Sequence, residues 1–116
     1  KHLRRLELHL LAGGVTVSRT ADDLVRYHGK MMIVDGRLLH VYGFNFTTLD
    51  LEKSRSFGVI TRNPRLVQAA SRLFAADFDR QPYANGAPRL IVSPENSRER
   101  LAAFLSGARR QLLIYD

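Results

Sequence analysis

Residues 27–36 have the sequence Tyr-His-Gly-Lys-Met-Met-Ile-Val-Asp-Gly. An imidazole and an ammonium therefore stand two residues apart, at His28 and Lys30, inside a run of apolar strand-forming residues. A buried strand disfavours both groups, because an unpaired cation away from water is costly or loses its proton. The two residues at these positions therefore indicate a chemical role.

The Asp35-Gly36 pair is a strong signal for a two-residue hairpin turn. It predicts a hairpin with strands at residues 26–34 and 37–44, and it fixes the pairing between the strands. The predicted pairs are Val34 with Arg37, Lys30 with Val41 and His28 with Gly43.

The predicted register brings three polar side chains together, because side chains alternate between the two faces of a strand. His28, Lys30 and Asn45 then lie on one face, and Gly43 opposite the imidazole leaves room for a ligand. His40 falls on the other face and receives no chemical role. A neutral imidazole is a nucleophile near pH 7, and an amine and an amide donate hydrogen bonds to phosphoryl oxygens.

The spacing His28-x-Lys30-x4-Asp35, followed by Asn45 in a Gly-x-Asn context, resembles the HKD motif of the phospholipase D superfamily. This superfamily includes cardiolipin and phosphatidylserine synthases and certain endonucleases. The resemblance continues through residues 54–61 and the helix that ends at 74–78, so that it covers most of the chain.

The resemblance implies an α/β fold, with a mixed sheet flanked by helices, of the phospholipase D-like repeat type. Residues 1–80 would form the C-terminal part of one repeat with its motif, and residues 81–88 a linker. Residues 89–116 would form the strand-helix-strand opening of a second repeat, packed into the same domain. We accordingly expect the chain to be part of a longer polypeptide.

The same resemblance implies a mechanism without metal or cofactor, in which two HKD motifs meet and a phosphohistidine forms. His28 would be the nucleophile or its acid/base partner, and Lys30 and Asn45 would bind the phosphate beside Gly43. Asp35 would be a mainly structural member of the catalytic motif. The second motif would come from the parent chain or from a homodimer mate, and this fragment alone is expected to be nearly inactive.

Two positions depart from the family pattern. Gly43 stands where the family often has a serine that contacts phosphate. Ser56 stands where the family usually has a glutamate that orients the histidine, and a hydroxyl is a weaker acceptor. Either a carboxylate takes over from Ser56 as the group that orients the histidine, with Asp50 and Glu52 the nearest in sequence, or this half-site is the less active of the pair.

Composition limits the function classes. The chain has 116 residues and a formal net charge of +7, and 15 of its 18 basic residues are arginine. Such a field attracts phosphodiesters and anionic headgroups. The absence of cysteine excludes disulfides and thiolate chemistry. We expect a cytoplasmic location or a peripheral one at a membrane surface.

Three interpretations stay open at this point. The first is half of an enzyme that cleaves or transfers phosphatidyl groups on phospholipids. The second keeps the chemistry but takes nucleic acid as its substrate, with arginines along the backbone. The third is a degenerate repeat without catalytic activity, for which Gly43 and Ser56 are the evidence.

Overall fold

A computed structural model describes residues 2–84 and 89–115 of the chain. The residues Asn85-Gly86 and Pro88 of the predicted linker lie outside the described part. Within it, the fold is mixed α/β, with four helices and one three-stranded antiparallel sheet. In chain order the elements are α1 His2–Ala12, β1 Lys30–Val34, β2 Leu38–Tyr42, α2 Thr48–Glu52, β3 Gly58–Thr61, α3 Pro64–Phe78 and α4 Ser97–Ser106.

The predicted hairpin is confirmed, but its predicted register is wrong by one residue. Asp35 and Gly36 both have positive φ, +54° and +62°, as the central residues of a type I′ turn do, and the Arg37 N–H donates to the Val34 carbonyl at 3.0 Å. Val34 nevertheless pairs with Leu38, so Arg37 is one extra residue in the connection.

The hydrophobic pattern accounts for this register. It places Met31 and Ile33 opposite Val41 and Leu39, so that one face of the hairpin is entirely apolar. Lys30, His40 and Tyr42 then share the other face. The predicted register would have placed Lys30 among the core residues, and it wrongly placed His40 on the face away from Lys30.

Helix α3 covers the apolar face of the sheet. It begins with Asn63 as its N-cap, whose side chain accepts from the N–H groups of Arg65 and Leu66, and Pro64 follows at the first helical position. Val67 and Ala70 of the helix and Leu39 of β2 form the buried cluster, and Met31, Ile33 and Leu66 pack around it. Strand β3 extends the sheet by pairing Val59 with Val41.

The region after the linker differs from the predicted strand-helix-strand unit. Its helix is present as α4, but residues 89–92 and 111–115 form no strand. No neighbouring strand in the described part of the chain supplies the ladder hydrogen bonds that these segments need. The aromatic ring of Tyr115 packs instead on Phe57, with ring centroids 5.4 Å apart.

A large apolar surface stays uncovered. The chain exposes 10349 Å², whereas a compact chain of this mass exposes about 6,400 Å². The exposed apolar side chains include Leu3 on α1, Ile60 on β3 and Phe104 on α4. Apolar surface of this extent is typical of a contact surface for another protein or a lipid.

Candidate functional site

The candidate site lies at the end of the sheet away from the turn at Asp35-Gly36. Lys30 is the first residue of β1 and pairs across the hairpin with Tyr42, the last residue of β2. His28 lies two residues before β1 and is exposed. This end of the hairpin therefore presents polar side chains to solvent.

His28 and Lys30 are in direct contact, although His28 lies outside β1. The Lys30 Nζ lies 2.8 Å from His28 Nδ1 and 3.2 Å from Nε2. A neutral imidazole has one ring nitrogen that can accept a hydrogen bond, so at most one of these two contacts is a hydrogen bond from the ammonium. The contact brings a cation against the side chain expected to act as nucleophile.

Asn45 is held by Asp50. The Asp50 Oδ2 accepts from the Asn45 backbone N–H at 3.0 Å and from the Asn45 Nδ2 at 2.9 Å. An ionised carboxylate only accepts, so the amide nitrogen of Asn45 must face Asp50. The second hydrogen of Nδ2 is left available for another acceptor, such as a phosphoryl oxygen.

Helix α2 positions the Asp50 carboxylate beside Asn45. Thr47 is its N-cap, and its hydroxyl accepts from the Asp50 N–H at 3.2 Å. Thr47-x-x-Asp50 has the spacing of a capping box, in which the third helical residue bonds back to the cap. Here the carboxylate reaches two residues further, to Asn45, and the spacing could have revealed the helix.

The Asp50 carboxylate is influenced both by Asn45 and by Lys30, the partner of His28. Hydrogen bonds from the Asn45 side chain and backbone hold the pKa of Asp50 below its ordinary value. The Thr47 hydrogen bond and the nearby Lys30 ammonium act in the same direction, while partial desolvation opposes them. Lys30, bonded to His28, is therefore close enough to act on the carboxylate that holds Asn45.

The segment that carries His28 is anchored by the preceding residue. The Tyr27 hydroxyl donates to the Asp23 carboxylate, and this bond, helped by desolvation and by the charges of Asp23 and Asp77, raises the pKa of Tyr27 to about 12. The phenol thus stays a donor throughout the neutral range. This bond restrains the chain immediately before the imidazole.

The remaining predicted site residues lie elsewhere or have other contacts. Asp35 lies in the turn, at the opposite end of β1 from Lys30. The Gly43 N–H donates to the Phe57 carbonyl at 3.0 Å, and a Cβ on Gly43 would lie 3.3 Å from that oxygen, so this glycine has a packing role. Ser56 is exposed, and the described residues show no hydrogen bond from it to His28.

An aromatic cluster beside the site was missed from the sequence. The rings of Tyr42, Phe44 and Phe46 lie 5.1–6.2 Å apart, in tilted or edge-on arrangements. The Tyr42 hydroxyl also lies 2.8 Å from Nδ1 of His40. The alternation of aromatic residues at positions 42, 44 and 46 is a period-two signal that could have revealed the cluster.

Comparison of the chain with protein-family models, curated proteins and solved structures finds no match. The resemblance to the phospholipase D superfamily therefore rests on the residues of the chain itself. None of the helices within residues 2–84 and 89–115 has the length and apolar character needed to cross a bilayer.

Proposed function

We propose that the chain provides one half-site of a phospholipase D-like phosphodiesterase or phosphatidyltransferase that acts on phospholipids. The observation that carries the proposal is the contact of 2.8 Å between Lys30 Nζ and His28 Nδ1. It joins an imidazole, the proposed nucleophile, to a cation that can bind the phosphoryl group. Asn45, held by Asp50, supplies a second donor on the same end of the sheet.

In the proposed reaction, Lys30 moves its hydrogen bond from His28 to a phosphoryl oxygen, and the freed unprotonated nitrogen of His28 attacks phosphorus and forms a phosphorus–nitrogen bond. The bond from phosphorus to the leaving alcohol breaks, and that oxygen takes a proton from a histidine of the second half-site. Lys30 and Asn45 bind the oxygens on which negative charge increases. Water or an alcohol, deprotonated by the second histidine, then attacks phosphorus and releases His28.

The proposal requires a second HKD motif, on the parent chain or on a homodimer mate. The large uncovered apolar surface of this chain supports such a partner. Phospholipid is the favoured substrate because apolar side chains lie next to the polar ones: Phe46 is 58% exposed and Leu49 is 66% exposed. The formal charge of +7 favours peripheral contact with an anionic membrane.

Nucleic acid is the second candidate substrate, and the aromatic cluster of Tyr42, Phe44 and Phe46 is the observation that favours it. Exposed rings beside cations are the usual means of binding single-stranded nucleic acid. The rings here contact each other edge-on, which leaves less flat surface for a base. Release of headgroup from phosphatidylglycerol, compared with cleavage of a single-stranded oligonucleotide, distinguishes the two.

An activated phosphodiester tests the proposed nucleophile in this chain. In bis(p-nitrophenyl) phosphate the p-nitrophenolate leaves without a proton, so the histidine of the second half-site is not needed. We expect release of about one p-nitrophenolate per active site, with a matching acid-labile phosphoryl group on His28 found by mass spectrometry.

Two histidine substitutions make the test specific. His28→Asn should abolish both the release and the adduct. His9→Asn, which removes an exposed histidine on α1, should leave both unchanged. Equal release from wild type and His28→Asn would contradict the proposed function and would favour a repeat without catalytic activity.

A further inference from the structure

A second basic site lies at the opposite end of the sheet. The turn of the hairpin and the start of α3 enclose a cleft of about 490 Å³, lined by the arginines Arg37, Arg62 and Arg65. The turn and Lys30 are separated by the five residues of β1, a distance of roughly 13 Å. One phosphate group therefore cannot occupy the cleft and the site of His28 together.

The three guanidinium groups have no carboxylate partner in the described part of the chain. The salt bridge found there joins Arg19, in the loop after α1, to Glu7 on α1. The backbone N–H groups at the start of α3 are already used, because the Asn63 side chain accepts from Arg65 and Leu66. The guanidinium groups are therefore the charged donors of the cleft.

We infer that this cleft binds the phosphate headgroup of an anionic phospholipid. Guanidinium groups match phosphate oxygens with paired hydrogen bonds, and three of them around one cleft offset the two charges of a phosphate monoester. Among residues 2–84 and 89–115, no aromatic residue lines the cleft, which lacks the stacking surface of a single-strand nucleic-acid site. The exposed ring of Pro64 gives it an apolar side, suitable for the part of a lipid next to its headgroup.

Vesicle binding with matched variants tests this inference. The probe is phosphatidylcholine vesicles with and without phosphatidic acid, at constant ionic strength. Arg62→Ala with Arg65→Ala should weaken binding to the phosphatidic acid vesicles roughly tenfold. Arg109→Ala with Arg110→Ala removes the same charge from exposed positions after α4 and should weaken binding less than about twofold. Arg62→Lys with Arg65→Lys should give an intermediate affinity.

Three results would overturn the inference. Equal losses in the two alanine pairs would show attraction by net charge alone. Loss of inorganic phosphate binding in Arg62→Ala with Arg65→Ala, without loss of vesicle binding, would show a site for free phosphate. A larger loss for a single-stranded oligonucleotide than for the vesicles would show a nucleic-acid site. None of these results depends on His28 or on catalytic activity, so the proposed function is tested separately.

Discussion

The two faces of the three-stranded sheet have different roles. The face under α3 is apolar, with Leu39 2% exposed and packed against Val67 and Ala70. The other face carries Lys30, His40 and Tyr42, and no helix of the described chain covers it; Met32 on this face is 45% exposed. One face therefore stabilises the hairpin, while the other holds polar groups at its open end.

A small sheet with one covered face can thus hold the imidazole of His28 and the ammonium of Lys30 near a core without burying either. A single covered face is sufficient to fix the register, because a shift by one residue would put Lys30 on the same face as Leu39, so that burying the leucine would also bury the ammonium. The site residues are consequently exposed, and their geometry depends on hydrogen bonds and charges. Substitutions on the two faces should affect different measurements.

The largest expected effect is a loss of stability when a residue on the face under α3 is substituted. Leu39→Ala should lower the free energy of unfolding by about 2–4 kcal/mol, because it removes a buried side chain and leaves a cavity. Met32 is similar in size to Leu39 but lies on the uncovered face, so Met32→Ala should lower the free energy of unfolding by less than about 1 kcal/mol. Urea denaturation followed by circular dichroism measures both. Similar losses of unfolding free energy for the two variants would contradict this comparison, because they would mean that the face with Met32 is also covered.

A smaller effect is expected on the affinity for phosphate when Asp50, which holds Asn45 at the candidate site, is substituted. Asp50→Asn and Asp50→Ala remove the same charge, but only the asparagine keeps an acceptor for Asn45. Inorganic phosphate should bind the alanine variant about tenfold more weakly than the asparagine variant. Isothermal titration calorimetry gives both constants, and Glu52→Gln serves as a control on the same helix. Equal constants for the two Asp50 variants would contradict a positioning role for Asp50.

The smallest effect is a pH dependence of stability. The folded state lowers the pKa of Asp50, so the carboxylate contributes stability above its ordinary pKa, and this contribution is lost as the pH falls through the lowered value. The free energy of unfolding should fall less steeply for Asp50→Asn than for wild type between about pH 5 and pH 2. The cost of Leu39→Ala should stay constant over that range. Parallel curves for wild type and Asp50→Asn would contradict this assignment.

The sequence predicted the elements with strong local signals. Asp35-Gly36 predicted the turn, and the two-residue spacing of His28 and Lys30 predicted that these side chains lie on the same side of the chain, where they are in contact. The register was wrong because the turn signal alone does not show that Arg37 is an extra residue. The apolar set Met31, Ile33, Leu39 and Val41 held the missing information, since these residues share a face only in the observed pairing.

The position of Asn45 could not be obtained from strand alternation. Strand β2 ends at Tyr42, and the chain then bends, so the position of the Asn45 side chain is decided by its hydrogen bonds to the Asp50 carboxylate.

The prediction of strands at residues 89–92 and 111–115 was wrong for a different reason. Their apolar composition favours a strand, but a strand forms only where a partner supplies hydrogen bonds.

The central claim is that His28, Lys30 and Asn45 bind one phosphate group together. Titration of the isotope-labelled chain with inorganic phosphate, followed by nuclear magnetic resonance, tests this directly. We predict that the His28 ring, the Lys30 ammonium and the Asn45 side-chain amide shift together and give one dissociation constant. An Asn45 amide that does not respond, or that gives a constant different from that of His28, would contradict a shared site.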